Sequence, residues 1–315
     1  MTVAQCADSM MHEISKVVIG QAPFIRHLTA AFFAGGHILM EGVPGLGKTL
    51  SAKALAQTVR ADYKRIQFTP DLMPTDITGT KMFDLKTSEF ILKPGPIFTN
   101  ILLADEINRT PPKTQSALLE AMEERSVTID GETMPLGDPF FVIATQNPVE
   151  YEGTYPLPEA QLDRFLMKLY IGYTTQSEEN ALLMKYTGAF EGSHRDVANL
   201  QPVMDSGLLA ACREEIRNVR VEEGIVNYIT SIVTGTRRSP AILLGGSPRA
   251  SIALLLCSKT IAAMNGRDFI TPEDVVDVAL PVLRHRLVLR PEAGIDGADA
   301  DTVLRSIIGK VEIPR

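Results

Sequence analysis

The sequence predicts an α/β nucleotide-binding domain with a parallel sheet, followed by a smaller helical domain. Short apolar runs alternate with helix-forming segments through the first half of the chain, which is the pattern of a parallel sheet with helices on both faces. A glycine-rich phosphate loop follows the first of those runs. After about Tyr173 the strand patterns fade and helical periodicity dominates. We therefore expect the α/β domain at 1–175 and the helical domain at 176–315.

Five apolar runs are predicted to form the parallel sheet, because near-continuous apolar character suits strands that are buried on both faces. The run Ile101-Leu102-Leu103-Ala104 shows this character clearly. The predicted strands are residues 38–41, 64–68, 101–104, 140–144 and 165–171.

Two segments interrupt the alternation, and each is predicted to be a small hairpin. Residues 82–93 would turn at 86–88 and stop at Pro94-Gly95-Pro96. Residues 126–136 would turn at Asp130-Gly131, a favoured two-residue turn. A surface loop is the alternative for both segments.

In the second half of the chain, two helix starts are marked by a capping residue followed by proline at the first helical position. These starts are Ser247-Pro248 and Thr271-Pro272, and Asp274 follows Thr271 by three residues. Periodicity predicts helices at 208–217, 224–234, 248–264 and 272–283.

The segment Gly42-Val43-Pro44-Gly45-Leu46-Gly47-Lys48-Thr49 fits the phosphate-loop pattern G-x-x-x-x-G-K-[ST]. It follows an apolar run and opens a helix-forming segment at 50–59, which is the strand-loop-helix order that the motif needs. Its glycines allow backbone N–H groups to turn toward phosphate at the positive end of a helix. An accidental glycine-rich turn is the alternative. The motif predicts that the chain binds a nucleoside triphosphate.

The residue types of this loop suggest separate roles in binding. Lys48 would reach the β- and γ-phosphates as a positive charge, and the Thr49 hydroxyl would hold Mg²⁺. The nucleotide contacts predicted from the loop and the start of the helix are Gly42, Pro44, Gly45, Leu46, Gly47, Lys48, Thr49 and Leu50.

Two carboxylates, Asp105 and Glu106, come directly after the apolar run at 101–104. In phosphoryl transfer, the first carboxylate of such a pair anchors Mg²⁺ and the next one orients and deprotonates the attacking water. Paired carboxylates are also common at solvated helix starts. After a buried strand and downstream of a phosphate loop, however, the pair predicts Asp105 as the metal ligand and Glu106 as the general base.

An amide side chain follows the predicted strand at 140–144. Asn147 would lie beside the phosphate loop if that strand neighbours the first one, because ligands bind at the carboxyl ends of strands in open α/β sheets. There it could hydrogen-bond the γ-phosphate or the attacking water. An ordinary Asn147-Pro148 turn explains the pattern equally well.

Composition and charge limit the class of protein. The 315 residues are 45% hydrophobic and 22% charged, which is typical of a globular chain, and the formal charge is −7 with a pI near 5.4. DNA-binding domains usually have a pI above about 9, so the acidic balance disfavours nucleic acid without excluding it. The sequence has no apolar run near the roughly 18 residues of a membrane span. Its N-terminus lacks a signal pattern, and Cys6, Cys212 and Cys257 lack metal-ligand spacing. These features favour the cytoplasm.

Together, the phosphate loop, Asp105-Glu106, Asn147 and the segment Gly246-Ser247-Pro248-Arg249 resemble the AAA+ ATPases. Within that group the chain resembles the MoxR family from about residue 17 to 290. The segments that carry this resemblance are Arg65-Ile66-Gln67-Phe68-Thr69-Pro70-Asp71-Leu72-Met73-Pro74, Asp105-Glu106-Ile107-Asn108-Arg109, Ala144-Thr145-Gln146-Asn147-Pro148 and Leu157-Pro158-Glu159-Ala160-Gln161-Leu162-Asp163-Arg164-Phe165.

The resemblance implies an AAA+ P-loop domain with a five-stranded parallel sheet and an all-α lid. It also implies that the two hairpins are a helix-2 insert and a pre-sensor-1 hairpin, both lining a central pore. By the same resemblance, Asn147 is the first sensor, Arg249 is the second sensor, a lid arginine that contacts the γ-phosphate, and Arg164 is the arginine finger that reaches the neighbouring subunit's site. The adenine pocket would be lined by Val18, Ile19, Gly20 and Gln21.

Without the resemblance, the arginines have simpler explanations. Arg164 beside Asp163 could be a surface ion pair, and Arg249 could be a solvated side chain. A cation at a helix start opposes the helix dipole unless an anion lies there, which argues that Arg249 faces phosphate. Arg109 and Arg125 are further candidates for contacts across the subunit edge.

The function predicted from these features is Mg²⁺-dependent ATP hydrolysis in a ring, with a hexamer expected. The family resemblance implies remodelling or assembly of protein complexes, with a von Willebrand A domain partner. Two alternatives remain, a nucleic-acid motor and the ATPase subunit of a metal-insertion complex.

Overall fold

A five-stranded parallel sheet is the centre of the first half of the chain, in a computed structural model that describes residues 1–43, 45–86, 88–147, 153–188, 194–295 and 297–314. In chain order, the strands are β1 (Ile38–Glu41), β2 (Tyr63–Gln67), β3 (Gly79–Asp84), β4 (Glu89–Pro94), β5 (Ile101–Asp105), β6 (Ser126–Ile129), β7 (Glu132–Pro135), β8 (Phe141–Gln146), β9 (Met167–Tyr170), β10 (Ile242–Leu244) and β11 (Val288–Leu289). The sheet has the order β2-β5-β8-β1-β9, so the predicted parallel five-stranded sheet is confirmed.

Helices flank this sheet and then form most of the second half of the chain. The first-half helices are α1 (Val3–Ser15), α2 (Ala22–Ala34), α3 (Lys48–Thr58), α4 (Pro74–Thr78), α5 (Pro112–Glu124) and α6 (Glu159–Leu162). The later helices are α7 (Gln176–Tyr186), α8 (His194–Ala198), α9 (Ser206–Arg217), α10 (Glu223–Arg238), α11 (Pro248–Met264), α12 (Pro272–Leu283), α13 (Pro291–Ile295) and α14 (Ala300–Ile308).

The central strands bury both of their faces, as their apolar runs predict. Successive side chains of a strand point to opposite faces, so neighbours along one strand belong to different cores. Ile38 and Met40 of β1 pack in one apolar cluster, whereas Leu39 between them packs in the other. The sheet is therefore covered by helices on both sides.

All five strands of the sheet lie where the sequence predicts them, within two residues at each end. β1 has the predicted bounds, while β8 begins one residue later and ends two residues later than predicted. The run predicted at 165–171 is shorter as β9, because only Met167–Tyr170 pairs with β1. The extension of β8 to Gln146 matters for the site, since Asn147 then follows the strand directly.

Both predicted hairpins are present. β3 and β4 pair antiparallel and end at Pro94, although Thr87 of the predicted turn lies outside the described residues. β6 and β7 pair antiparallel around Asp130 and Gly131, whose φ angles of 50° and 83° are those of the predicted two-residue turn. The Lys81 ammonium is 2.6 Å from a Glu132 carboxylate oxygen and so joins the two hairpins.

The N-cap residues of α11 and α12 make different hydrogen bonds. The Thr271 backbone N–H donates to Asp274 at 2.8 Å, which is half of a capping box and confirms that predicted start. Ser247 also stands at the predicted N-cap of α11, but its hydroxyl donates to Asp163 instead, at 3.2 Å. The first residues of α11 are thus tied to the α/β half of the chain.

The second half is helical apart from one short strand pair. β10 and β11 pair antiparallel with a shift of register between Ile242 and Leu244. The sequence does not predict this pair, because two or three residues give no readable periodicity. Among the described residues, no helix combines the length and the apolar character that crossing a membrane requires.

Candidate functional site

The phosphate loop between β1 and α3 has the backbone that its glycines allow. Gly45 and Gly47 have φ angles of 88° and 86°, a region that strains any residue with a side chain. A Cβ built on either glycine would have no other atom within 4 Å, so the space beside the loop is open. Pro44 of the predicted contacts lies outside the described residues. An open, N–H-lined bend at the start of a helix fits a phosphate group.

The two ends of the loop are anchored to the sheet. A Cβ on Gly42 would meet the backbone oxygen of Ile171 at 2.6 Å, so only glycine fits where the loop passes the end of β9. The Lys48 ammonium donates to the carbonyl oxygen of Gly42 at 2.6 Å and to that of Gln146 at 3.4 Å. Lys48 therefore lies over the carboxyl ends of β1 and β8, with Thr49 and Leu50 following it in α3.

A cavity of about 350 Å³ adjoins the loop and contains three of the four residues predicted to line an adenine pocket. Gly20, the fourth, has a φ of 71°, and a Cβ there would lie 2.8 Å from side-chain atoms of Thr174 and Glu178. The lining residues are Val17, Val18, Ile19, Gln21, Gly45, Leu46, Gly47, Leu50, Tyr173, Thr174, Glu179, Leu182 and Tyr186. The segment between α1 and α2 and the segment after β9 thus meet around one cavity beside the phosphate loop.

Two tyrosines of this cavity were not predicted from the sequence. Tyr173 is 82% exposed, and Tyr186, at the end of α7, is 49% exposed. Aromatic rings with open faces can stack on a planar base. The sequence places Tyr173 two residues after Ile171, at the edge of the sheet where ligands bind, and that position could have indicated a contact to the nucleotide.

The carboxylate pair lies at the carboxyl end of the buried strand β5, as predicted. Asp105 Oδ1 accepts a hydrogen bond of 2.6 Å from the Thr145 hydroxyl. The same hydroxyl oxygen accepts from the backbone N–H of Glu106 at 2.8 Å. Thr145 is fully buried on the neighbouring strand β8, so it fixes both carboxylate residues relative to the sheet.

Arg65 and Gln67 complete this network, and sequence reasoning did not assign either of them a role. Arg65 donates from Nε and Nη2 to Asp105 Oδ2, at 3.0 and 2.7 Å, and from Nη2 to Gln67 Oε1 at 2.6 Å. The feature of the sequence that could have indicated these roles is spacing. Residues two apart on a strand point to the same face, and β2 pairs with β5, which ends at Asp105. A guanidinium on Asp105 Oδ2 shows that this oxygen can take a cation.

Glu106 is held in an unusual backbone conformation by neighbours of its own chain. Its φ of 58° is uncommon for a residue with a side chain, and such strain is concentrated at functional sites. Glu106 Oε2 accepts hydrogen bonds from Gln67 Nε2 at 2.7 Å and from Arg109 Nη1 at 3.0 Å. Arg109 therefore lies beside the carboxylate pair of its own chain, and its contact to a neighbouring subunit stays a prediction.

Asn147 is buried, with 6% exposure, directly after β8. β8 lies between β5 and β1, so its end is adjacent to both the carboxylate pair and the phosphate loop. The alternative Asn-Pro turn involves Pro148, which lies outside the described residues. The described part of the chain thus brings together Lys48, Thr49, Asp105, Glu106 and Asn147 at one edge of the sheet.

Arg164 and Arg249 are placed elsewhere, and both bind the same carboxylate. Glu123 at the end of α5 lies 3.1 Å from Arg164 Nη2 through Oε2 and 2.7 Å from Arg249 Nη2 through Oε1. The anion that faces Arg249 at the start of α11 is therefore Glu123. The sequence-based expectation that Arg249 contacts the γ-phosphate stays a prediction.

This arginine pair lies at the opposite end of β1 from the phosphate loop. Arg164 and Arg249 line a cavity together with Gly36 and His37, which precede β1, whereas Gly42 follows β1. A parallel strand rises about 3.3 Å per residue, so the four residues of β1 separate the two ends by roughly 13 Å. The two arginines therefore face away from the phosphate loop of their own chain.

A buried arginine fixes the backbone beside Arg164. Arg286, after α12, donates from Nε to Asp163 Oδ1 at 2.7 Å and from Nη2 to the carbonyl oxygen of Phe165 at 2.7 Å. The Ser247 hydroxyl donates to the other oxygen of Asp163. Since Asp163 directly precedes Arg164, the helical half of the chain holds the segment that carries Arg164. Burial lowers the pKa of Arg286, and the Asp163 carboxylate opposes that shift.

His37 connects β1, β8 and the end of α5 as a neutral ring. Nδ1 accepts from the Val142 backbone N–H at 3.0 Å, so Nε2 carries the proton and donates to the Met122 carbonyl oxygen at 3.1 Å. Burial lowers the pKa of His37 from 6.5 to about 4. The ring therefore stays neutral in the folded protein near pH 7.

Stability is expected to fall as the pH falls below the unfolded pKa of His37, near 6.5. Between pH 6.5 and about 4 the unfolded chain takes up a proton that the folded protein refuses, which costs up to about 3 kcal/mol. Above pH 6.5 this contribution is fully present. Urea unfolding of wild type and His37→Gln at pH 7.5 and 5 measures the difference, with the exposed His12→Gln as control. An equal pH dependence in wild type and His37→Gln would contradict the assignment.

Comparison with known proteins gives matches over both halves of the chain. Residues 37–167 match a family described as ATPase family associated with various cellular activities (AAA), and residues 234–307 match the AAA lid domain. The uncharacterized protein YeaC of Bacillus subtilis (strain 168) is 51% identical over 304 residues, covering 96% of this chain and 93% of that protein.

A second relative and a solved structure cover nearly the whole chain. Chaperone MoxR1 of Mycobacterium tuberculosis is 39% identical over 317 residues, covering 98% of this chain and 82% of that protein. The crystal structure of a candidate ATPase from Cytophaga hutchinsonii has a TM-score of 0.90 at 41% identity, covering 99% of this chain and 96% of that one. The likeness therefore extends from the phosphate loop to the helices that follow Arg249.

Proposed function

The chain belongs to the MoxR family of AAA+ ATPases, and on that premise we propose that it hydrolyses ATP in a ring whose active sites combine residues of two neighbouring subunits. The observation that supports this proposal is the separation of Arg164 and Arg249 from the phosphate loop of their own chain. Two guanidinium groups at the far end of β1 cannot serve their own site, but they can serve a site on an adjacent copy. A hexamer is the ring size that we propose.

On this proposal, one subunit supplies nucleotide binding and the general base. The open bend at Gly45 and Gly47 would receive the phosphates, and Lys48 would exchange its carbonyl partners for phosphate oxygens. Thr49 and Asp105 are the proposed holders of Mg²⁺, which would neutralise phosphate charge when bound. Glu106 would orient and deprotonate the attacking water, and Asn147 would hydrogen-bond that water or the γ-phosphate.

The neighbouring subunit supplies positive charge. Arg164 would act as the arginine finger and Arg249 as a second cation against the phosphates, so that both stabilise charge that develops during phosphoryl transfer. The proposed adenine pocket is the cavity at Val18, Ile19 and Gln21, which Gly20 brings against the segment around Thr174. We propose that the α/β domain ends near residue 175 and that the remaining residues form the lid.

Lys48→Ala is expected to weaken nucleotide binding by about 10- to 100-fold. The change deletes a charge-assisted hydrogen bond to phosphate, which is worth roughly 1.5–3 kcal/mol. Titration of a fluorescent ATP analogue measures the affinity directly. Lys53→Ala, a cation removed from the same helix, is the control and should bind as wild type does. An unchanged affinity in Lys48→Ala would contradict nucleotide binding at this loop.

The work driven by hydrolysis is proposed to be the remodelling or assembly of protein complexes, with a von Willebrand A domain partner. The hairpin of β3 and β4 supports a protein client, because Phe83 and Phe90 are 51% and 70% exposed and stack edge to face at 5.3 Å. Exposed aromatic pairs on a projecting hairpin suit contact with an apolar polypeptide segment. The free thiols of Cys6, Cys212 and Cys257 suit the cytoplasm, which is the location that we propose.

A trapping experiment distinguishes the proposed client from its alternatives. A Glu106→Gln protein that retains ATP should hold its partner longer than wild type does, because a nucleotide cycle acts through differential affinity for the partner. Recovery of a von Willebrand A domain protein with a larger assembly would support remodelling. Recovery of mainly DNA would favour the motor, and recovery of a tetrapyrrole enzyme would favour metal insertion.

A further inference from the structure

We propose that Glu123 is a positioning residue for ATP hydrolysis, and that its carboxylate holds Arg164 and Arg249 side by side for presentation to the phosphates of the neighbouring subunit. This inference rests on the shared active site proposed above. In the proposed function, Arg164 and Arg249 are the groups that the neighbouring subunit supplies. Glu123 would be a third group on that side of the shared site.

The contacts show a bridge in which each carboxylate oxygen serves one arginine. Glu123 Oε2 is 3.1 Å from Arg164 Nη2, and Oε1 is 2.7 Å from Arg249 Nη2. Two positive charges this close repel one another unless a negative charge lies between them. Arg164 comes from the segment after α6 and Arg249 from the start of α11, so Glu123 joins the side chains of two different segments.

Glu123 can position other residues because its own backbone is fixed. The preceding carbonyl oxygen, that of Met122, accepts from His37 Nε2 at 3.1 Å. Arg125, two residues after Glu123, ends α5 in a left-handed conformation with φ of 51°, and its Nη2 donates to the Gly35 carbonyl oxygen at 3.2 Å. Met122 and Arg125, on either side of Glu123, are therefore both hydrogen-bonded to the chain just before β1.

The two arginines also rise from anchored backbone. Asp163, the neighbour of Arg164, accepts from Arg286 Nε at 2.7 Å and from the Ser247 hydroxyl at 3.2 Å. Ser247 in turn stands two residues before Arg249. The backbones that carry Glu123, Arg164 and Arg249 are therefore fixed. Only the side-chain torsion angles of these three residues remain to be set by the bridge.

Partial exposure leaves the guanidinium groups able to bind more than Glu123. The side chains of Arg249, Glu123 and Arg164 are 60%, 35% and 30% exposed. A guanidinium has five N–H donors, and Glu123 accepts a hydrogen bond from Arg249 Nη2 and forms an ion pair with Arg164. The remaining donors can reach phosphate oxygens across a subunit contact without breaking the bridge.

The charge of Glu123 is secured by the same contacts. The hydrogen bond from Arg249 and the positive charge of Arg164 lower the pKa of Glu123 below its ordinary value. Exposed ion pairs of this kind contribute only about 0–1 kcal/mol to folding. Removing the carboxylate should therefore disturb the arginines without unfolding the protein.

Glu123→Gln tests the proposal, with Glu124→Gln as the matched control on the next residue of α5. Glu123→Gln should lower kcat by roughly 10²-fold, because small displacements of catalytic groups cost about that much. Its KM for ATP and its thermal unfolding should match wild type, since its own phosphate loop is untouched. Glu123→Asp, which keeps the charge on a shorter side chain, should fall between the two. Wild-type turnover in Glu123→Gln, or faster turnover, would overturn the proposal.

Mixed assemblies show on which side of the contact Glu123 acts. A Glu123→Gln subunit has an intact phosphate loop, and a Lys48→Ala subunit has an intact Glu123, so mixing them should restore turnover. The Arg164→Ala and Lys48→Ala mixture is the reference. If the reference mixture recovers turnover and the mixture with Glu123→Gln does not, the proposed role of Glu123 is overturned but the shared active site is not. Absence of rescue in the reference would overturn the shared site, and the role of Glu123 with it.

Discussion

Arg164→Ala is expected to lower the ATPase rate by about 10³–10⁵-fold while ATP binding stays as in wild type. An arginine supplied by a neighbouring subunit has an effect of that size in analogous phosphoryl transfer, because it stabilises charge that develops only in the transition state. In this protein Arg164 faces away from its own phosphate loop, so its removal leaves the binding contacts intact. Steady-state phosphate release and fluorescent nucleotide titration measure the two effects separately.

The control for this prediction is an arginine on the surface of the helical half. Arg217 is paired with Glu214 and its side chain is 73% exposed, so Arg217→Ala should keep the wild-type rate. Mixing Arg164→Ala with Lys48→Ala should recover part of the activity, since each supplies the half that the other lacks. If Arg164→Ala turns over ATP at the wild-type rate, Arg164 is not the finger, and Arg109 and Arg125 become the next candidates to test.

Glu106→Gln is expected to abolish turnover, by about 10²–10⁴-fold or more, and to leave nucleotide affinity unchanged. Glutamine keeps the size and the acceptor oxygen that Gln67 and Arg109 now contact, but it cannot take a proton from water. Binding and hydrolysis therefore separate in this variant, whereas Lys48→Ala loses binding first. Single-turnover hydrolysis of bound ATP is the direct measurement, because it isolates the chemical step.

Glu214→Gln provides the matched control for this change. It removes the same charge from the surface of α9 and should hydrolyse ATP as wild type does. Retention of more than about a tenth of wild-type single-turnover activity in Glu106→Gln would exclude Glu106 as the general base. The base would then have to be sought among other groups at the same edge of the sheet.

Much of the fold could be predicted because its signals are local. The strand at Ile38–Glu41 and the helix at Pro248–Met264 were predicted with the observed bounds. Apolar runs mark buried strands, and proline after a capping residue marks a helix start, whatever the rest of the chain does. The phosphate loop is equally local, since the backbone of Gly45 and Gly47 depends on glycine itself.

The parts that could not be predicted depend on packing between distant segments. Nothing near Arg249 in the sequence reveals that the start of α11 lies beside Glu123 and Asp163 rather than beside the phosphate loop. The same holds for Arg65, whose bond to Asp105 joins residues that are forty positions apart. Long-range ion pairs follow from the tertiary arrangement, which periodicity does not specify.

The two hairpins include features that the sequence predicts and features that it does not. Their existence and turns were predicted, but the sequence could not tell which apolar residues face outward. Phe83 and Phe90 of the first hairpin are exposed, whereas Ile129 of the second is buried with 6% exposure. β6 contacts both α5 and β3, and such contacts between distant segments decide the side to which Ile129 points.

The dependence of ATPase activity on protein concentration tests the shared active site most directly. If each site needs Arg164 from a second subunit, the rate per subunit should rise steeply from dilute protein to the concentration at which rings form, and then level off. Light scattering on the same samples should show assembly over the same range. A dilute monomer that hydrolyses ATP as fast per subunit as the concentrated protein would contradict the shared site.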